Sequence, residues 1–227
     1  MQKRLLARDI DHKVYSTGLV SDVTYRFFQN GYLLSTSMYC EELARWIPIQ
    51  LTWIRGLAER YYQVHFAGLF HQFLVSDFTK AERDILVCNI VDFLAAQREG
   101  FVAAYWEVFG KCDKMIVLNK LQGCHEHYQA QVTQVKRNRH VVMADEESTF
   151  QQMCMDLIKK PAEGNASHEE KIDALRRRFP KAKHWLDWWT MAEVESMLCP
   201  SRRPKLEVTP EGNERPTKTT NAQESLH

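Results

Sequence analysis

Eight residues, Ile85-Leu-Val-Cys-Asn-Ile-Val-Asp92, constrain this chain more than any other stretch. The run is short, mostly apolar and rich in β-branched side chains, which predicts a buried strand. It ends in an acid, and a carboxylate at the end of a buried strand is costly unless something neutralises it. Ala95 to Phe109 follows with the spacing of an amphipathic helix. Asp92 is therefore expected at a strand-to-helix edge, where open α/β sheets hold their ligands.

The same reading extends along the chain. Leu19 to Phe28 predicts a first strand, and Asn30-Gly31 a two-residue hairpin turn. Tyr32 to Tyr39 predicts a second strand and Trp46 to Ile54 a third. Pro48 lacks a backbone donor, which assigns it to a strand start or a sheet edge. Glu59 to Leu74 has helical spacing, and Thr79-Lys-Ala-Glu82 has the form of a capping box that starts a short helix. Met115 to Leu118 suits either a fifth strand or a helix start, and helix is expected from about Asn119 to Lys136. Beyond residue 141 helices are expected at Glu146 to Ile158, Ser167 to Arg178 and Lys181 to Met197, with a second capping box at Ser167-His-Glu-Glu170.

Composition narrows the function classes. The formal net charge is +1, so no global basic signal for nucleic acid exists, and any such binding rests on local patches. The six cysteines are scattered, several in apolar runs, and are read as reduced thiols of an intracellular, soluble protein. No apolar run approaches the roughly 18 residues that a membrane-spanning helix needs. Lys136-Arg-Asn-Arg139 and Arg176-Arg-Arg178 suit either phosphate contacts or solvated helix ends. Trp185, Trp188 and Trp189 suit core packing first, and base stacking second.

Three strands, a helix, an acid-bearing strand and a further helix match the order of the ribonuclease H-like fold. In that arrangement acids on the first strand, the fourth strand and the last helix converge at one sheet edge. Asp22, Asp92 and Glu224 stand in those three places. Hard divalent cations take oxygen ligands, so such a trio suits a pair of Mg²⁺ or Mn²⁺ ions used for phosphoryl transfer.

The order of motifs resembles the catalytic domain of Mutator-like element (MULE) transposases, within the eukaryotic D-D-E group. Leu19-Val-Ser-Asp22-Val-Thr-Tyr25 is similar to the family's first-aspartate strand, and Arg45 to Trp53 to its third strand. Val91-Asp92, followed by a helix ending Val108-Phe109-Gly110, resembles the second-aspartate strand and its helix. Cys124-His-Glu-His127 matches the family's Cys-x-x-His motif, and Thr219-Thr-Asn-Ala-Gln-Glu224-Ser the motif of the catalytic Glu. The resemblance implies DNA strand cleavage and transfer, with Asp22, Asp92 and Glu224 as metal ligands. It also implies transposon ends and target DNA as partners, a nuclear location and a possible homo-oligomer. Glu126 is a rival third ligand, at a spacing from Asp92 close to that of integrases and mariner-type transposases. Cys124 and His127 form half a zinc site at most, with Cys112 as the candidate third ligand, and structural support near the active site is the expected role.

The implied organisation is an N-terminal segment (1–16), a catalytic core (17–140), a helical insertion (141–199), a Pro-rich linker (200–220) and the start of the last core helix (221–227). The chain stops three residues after Glu224. That helix is therefore expected to be truncated and Glu224 weakly fixed. A derivative without catalysis, acting as a nucleic-acid or protein interaction module, is the alternative expectation.

Overall fold

The computed structural model describes residues 18–40, 43–75, 78–159 and 166–202. They divide into two compact units after Cys124, so the expected boundary at residue 140 falls within the second. Glu224, the N-terminal segment and nearly all of the Pro-rich linker lie outside the described residues.

The first unit is α/β. Its strands are β1 (Leu19–Thr24), β2 (Tyr32–Cys40), β3 (Arg45–Ile54), β4 (Asn89–Val91) and β5 (Leu121–Gly123). Its helices are α1 (Glu59–Val75), α2 (Lys80–Leu86), α3 (Ala95–Phe109) and α4 (Lys114–Leu118). The five strands form one mixed sheet in the order β3-β2-β1-β4-β5. β1–β2 and β2–β3 are antiparallel, whereas β1–β4 and β4–β5 are parallel. Pro48 does sit on the edge strand, opposite Ser37 beside an irregularity in the β2–β3 register. Its missing donor is tolerated there.

One face of the sheet is covered by α1. His65, on that helix, is 1% exposed and takes hydrogen bonds from or gives them to Thr36 and Thr52 of the sheet. Helix α3 packs on α1 through edge-on aromatic rings, with Phe101 5.1 Å from Phe66 and 5.3 Å from Phe70. Gly100 permits the close approach, because a Cβ there would stand 2.7 Å from the Glu59 carbonyl oxygen.

Several expected elements differ. Ile85 to Asp92 is not one strand: Ile85 and Leu86 end α2, Val87 caps it, and only Asn89–Val91 pair in the sheet. The capping box is the cause. Thr79 accepts from the Glu82 amide and Glu82 from the Thr79 amide, and a helix so anchored runs on into the apolar stretch. β1 ends at Thr24, so a loop of residues 25–31 replaces the two-residue turn. Gly31, at φ +93°, closes it against β3, where a Cβ would meet the Ile54 carbonyl oxygen at 2.5 Å. Residues 114–118 take the helical alternative, capped by Asp113. The fifth strand is Leu121–Gly123, inside the stretch expected to be helix.

The second unit holds α5 (His125–Lys136), α6 (Glu147–Leu157), α7 (His168–Arg178), α8 (Lys183–Trp189) and α9 (Ala192–Leu198). Short 3₁₀ turns join it at Ala144–Glu146, Pro180–Ala182 and Pro200–Arg202. No strand occurs in it among the described residues. The Ser167–Glu170 capping box forms as expected. The expected helix from Lys181 to Met197 is broken near Thr190 and Met191, where the Thr190 hydroxyl bonds the Leu186 carbonyl. Such back-bonding competes with the helix ladder. Its core is aromatic: Tyr128 meets Trp189 at 4.7 Å, and Phe150 meets Phe179 at 5.0 Å. Of the three tryptophans expected to pack, Trp189 is buried, but Trp188 is 40% exposed. Adjacent residues on a helix point about 100° apart, so both cannot face one core.

Candidate metal centre

The two acids of the first unit reach neighbouring strands through the parallel β1–β4 pairing. Val20 stands opposite Ile90. Two residues further along each strand bring Asp22 and Asp92 to the same level, with strands about 4.8 Å apart. Asp22 lies within β1 and Asp92 one residue past β4. Residues two apart on a strand share a face. Ser21 bonds Thr36 on the side covered by α1, so Asp22 points to the other side.

Each acid is half-buried. Asp22 accepts the Val23 amide on Oδ1 at 2.8 Å. The Asp92 backbone is tied to the helix that follows it, its amide donating to Oε1 of Gln97 at 3.1 Å. One residue on, the buried Arg98 guanidinium donates to the Phe93 carbonyl at 3.0 Å. The loop that aims Asp92 is thus fastened by two side chains of the first turns of α3. Gln97 and Arg98 were not singled out in the sequence. The signal for them was there, two polar residues in the first turns of a helix entered from a strand end.

Electrostatics link the pair. Burial raises the Tyr25 phenol above its ordinary range, and the charges of Asp92 and Asp22 raise it further. The buried Tyr62 phenol is raised more strongly, by burial first and then by Tyr25, Asp92 and Asp22. Both carboxylates therefore act on the same two hydroxyls, which stay protonated at neutral pH.

The donor set suits a hard cation, since two carboxylates offer only oxygen. Among the described residues no group of three His, Cys, Asp or Glu side chains is placed to hold a metal ion. Glu224 lies outside them. Glu126 occupies the first turn of α5 in the second unit, with His127 beside it. Cys124 is fully buried in an apolar cluster with Val20, Ile90 and Trp46, and its amide donates to the Val91 carbonyl at 3.1 Å. It extends the β4–β5 pairing next to Asp92. Cys112 is half-buried ahead of α4.

Four cations of the two basic clusters are engaged with acids or amides within the second unit. Lys136 donates to Gln151, Arg139 pairs with Glu147, and Arg178 pairs with Glu146 at 3.1 Å. Arg176 reaches Asp187 at 3.4 Å. No helix among the described residues is long and apolar enough to cross a membrane. Comparison of the chain with protein-family models, with curated proteins and with solved structures finds no match.

Proposed function

We propose that residues 18–124 are the ribonuclease H-like catalytic core of a Mutator-like transposase domain, built for metal-dependent cleavage and transfer of DNA strands. The observation that carries this reading is the sheet order β3-β2-β1-β4-β5, with Asp22 and Asp92 level on adjacent parallel strands. Asp22 and Asp92 would hold Mg²⁺ or Mn²⁺ through carboxylate oxygens. When bound, the metal pair supplies activation of a water or a DNA 3′-hydroxyl and neutralises charge at the leaving 3′-oxygen.

The chain's own residues do the rest. Gln97 and Arg98 hold the Asp92 loop in place, which keeps the two carboxylates in register without reorganisation at each turnover. Tyr25 stays a neutral phenol in the field of the two anions. The third carboxylate is Glu224, with Glu126 as the rival. The partner is DNA, and the resemblance to eukaryotic transposases implies the nucleus as its compartment.

The test is a calorimetric Mn²⁺ titration together with nicking of supercoiled plasmid. Asp92→Asn and Asp22→Asn are each expected to weaken Mn²⁺ binding by more than about tenfold and to abolish nicking. Glu224→Gln and Glu126→Gln, compared in the same assay, identify the third ligand. Metal binding that is indifferent to Asp92→Asn would leave the non-catalytic interaction module as the better description.

A further inference from the structure

Leu51 and Trp53 of the edge strand β3 are 59% and 48% exposed. The ladder fixes which side they look to. Gln50 and Thr52 bond His65 of α1, so the residues that alternate with them face away from that helix. Asp22 stands opposite Ser35, and Ser35 opposite Leu51. In the next row Thr24 stands opposite Leu33, and Leu33 opposite Trp53. Directly opposed residues share a face. Asp22, Leu51 and Trp53 thus look out from one side of the sheet. Two strand spacings across and two residues along separate Asp22 from Trp53, roughly 12 Å between α-carbons. A DNA strand covers that span with about two to four nucleotides.

The indole is held in place for contact. Its Nε1 donates to the Asn30 carbonyl at 2.9 Å, and the Arg55 guanidinium lies 5.4 Å from its ring centroid. The neighbouring loop adds Arg26 between Tyr25 and Phe27, whose side chains are 53% and 57% exposed. A fixed aromatic plane with a cation over it matches a ligand that carries both a flat ring and an anion, the base stacking on the indole and the guanidinium meeting its phosphate.

We propose that Trp53 and Arg55 form a stacking platform for an unpaired base of the DNA strand whose phosphate lies at the Asp22–Asp92 end of the sheet. The proposal rests on the transposase reading for the identity of the strand. It adds a second contact that grips the strand a few nucleotides from the acids. The Trp53 face binds a base and Arg55 its phosphate, without reading sequence, because every base offers a π-face.

Fluorescence anisotropy in EDTA tests it, with a fluorescein-labelled strand of twelve thymidylates and the same strand made of abasic deoxyribose phosphates. The whole chain is expected to bind the thymidylate strand at least about tenfold more tightly than the abasic one. Trp53→Ala is expected to erase that ratio, Trp53→Phe to keep most of it, and Arg55→Ala to weaken both strands. Trp53→Thr, which suits an edge strand, replaces Trp53→Ala if the alanine variant does not fold. Equal binding of the two strands by the unaltered chain, or a ratio that survives loss of the indole, overturns the platform. The measurement needs no metal, so its failure is read separately from any loss of Mn²⁺ binding in Asp92→Asn.

Discussion

Residues 18–124 and residues 125–202 are held together in different ways. In the first unit a buried polar chain crosses the sheet. Ser21 Oγ meets Thr36 Oγ1 at 2.6 Å, Thr36 meets His65 Nε2 at 2.7 Å, and His65 Nδ1 meets Thr52 at 2.7 Å. Every link joins different elements, and the chain ends on β1 beside Asp22. In the second unit the helices are started by local devices, such as the Ser167–Glu170 box, and gathered around aromatic rings. Among its described residues the buried His168 ring meets the Glu195 carboxyl at 2.9 Å, and Arg202 joins Glu195 to Glu169. The first unit is organised to fix side chains at one sheet edge, at the cost of many long-range contacts. The second is organised to pack, and its polar residues sit mainly in exposed pairs.

Core truncation should separate the two most sharply. Phe70 is fully buried among the rings of Phe66, Phe101 and Phe109, and Phe150 among Phe179 and Trp185. Phe70→Ala and Phe150→Ala are each expected to cost about 3–5 kcal/mol. Hydrogen exchange followed by mass spectrometry should show the faster amides in residues 18–124 for the first variant and in 125–202 for the second. Equal acceleration in both units by either variant would dissolve the distinction.

The polar chain predicts a pH dependence confined to the first unit. Burial lowers the His65 pKa from 6.5 to about 3. Its folded form is neutral where the unfolded form already binds a proton, so its contribution is complete above about pH 6.5 and is lost progressively as pH falls towards 3. The slope is at most about 1.4 kcal/mol per pH unit, or roughly 2 kcal/mol between pH 6.5 and 5. Denaturant titrations of His65→Gln should show a flatter dependence across this window. An unchanged slope would mean that His65 is not the group that titrates.

The smallest effect compares the caps. Thr79→Ala and Ser167→Ala each remove a side chain that accepts an N3 amide, at a cost of about 1 kcal/mol. Thr79 starts the helix that decides where the β4 stretch begins, so its loss should also raise exchange at residues 85–91. Ser167→Ala should change only its own helix. Matching local effects in both would show that α2 does not govern the start of β4.

Legibility followed the range of the interactions. Both capping boxes, the span of α3 and the edge position of Pro48 were evident in the residues, because each depends on neighbours a few positions away. So was the placement of Asp92 at a strand-to-helix edge. The short strands were not. Asn89–Val91 and Leu121–Gly123 have three residues each, too few to show a period, and they are strands only because β1 supplies a parallel partner for β4 and β4 one for β5. Asn30-Gly31 does not make a two-residue turn because it ends a loop whose span is set by the β1–β2 register. Trp188 is exposed although its spacing suits packing, because spacing along a helix does not say which face finds a neighbour.

An α/β portion followed by helices, with Asp22 in the first strand and Asp92 just after a short apolar stretch, is written in the residues alone. Local patterning and capping suffice for that, since they act within one or two turns. That β1 and β4 lie side by side, that Gln97 and Arg98 fasten the Asp92 loop, and that Trp53 shares a face with Asp22 emerges in the folded chain. Those outcomes depend on strand order and register, which are fixed by partners far away in the chain.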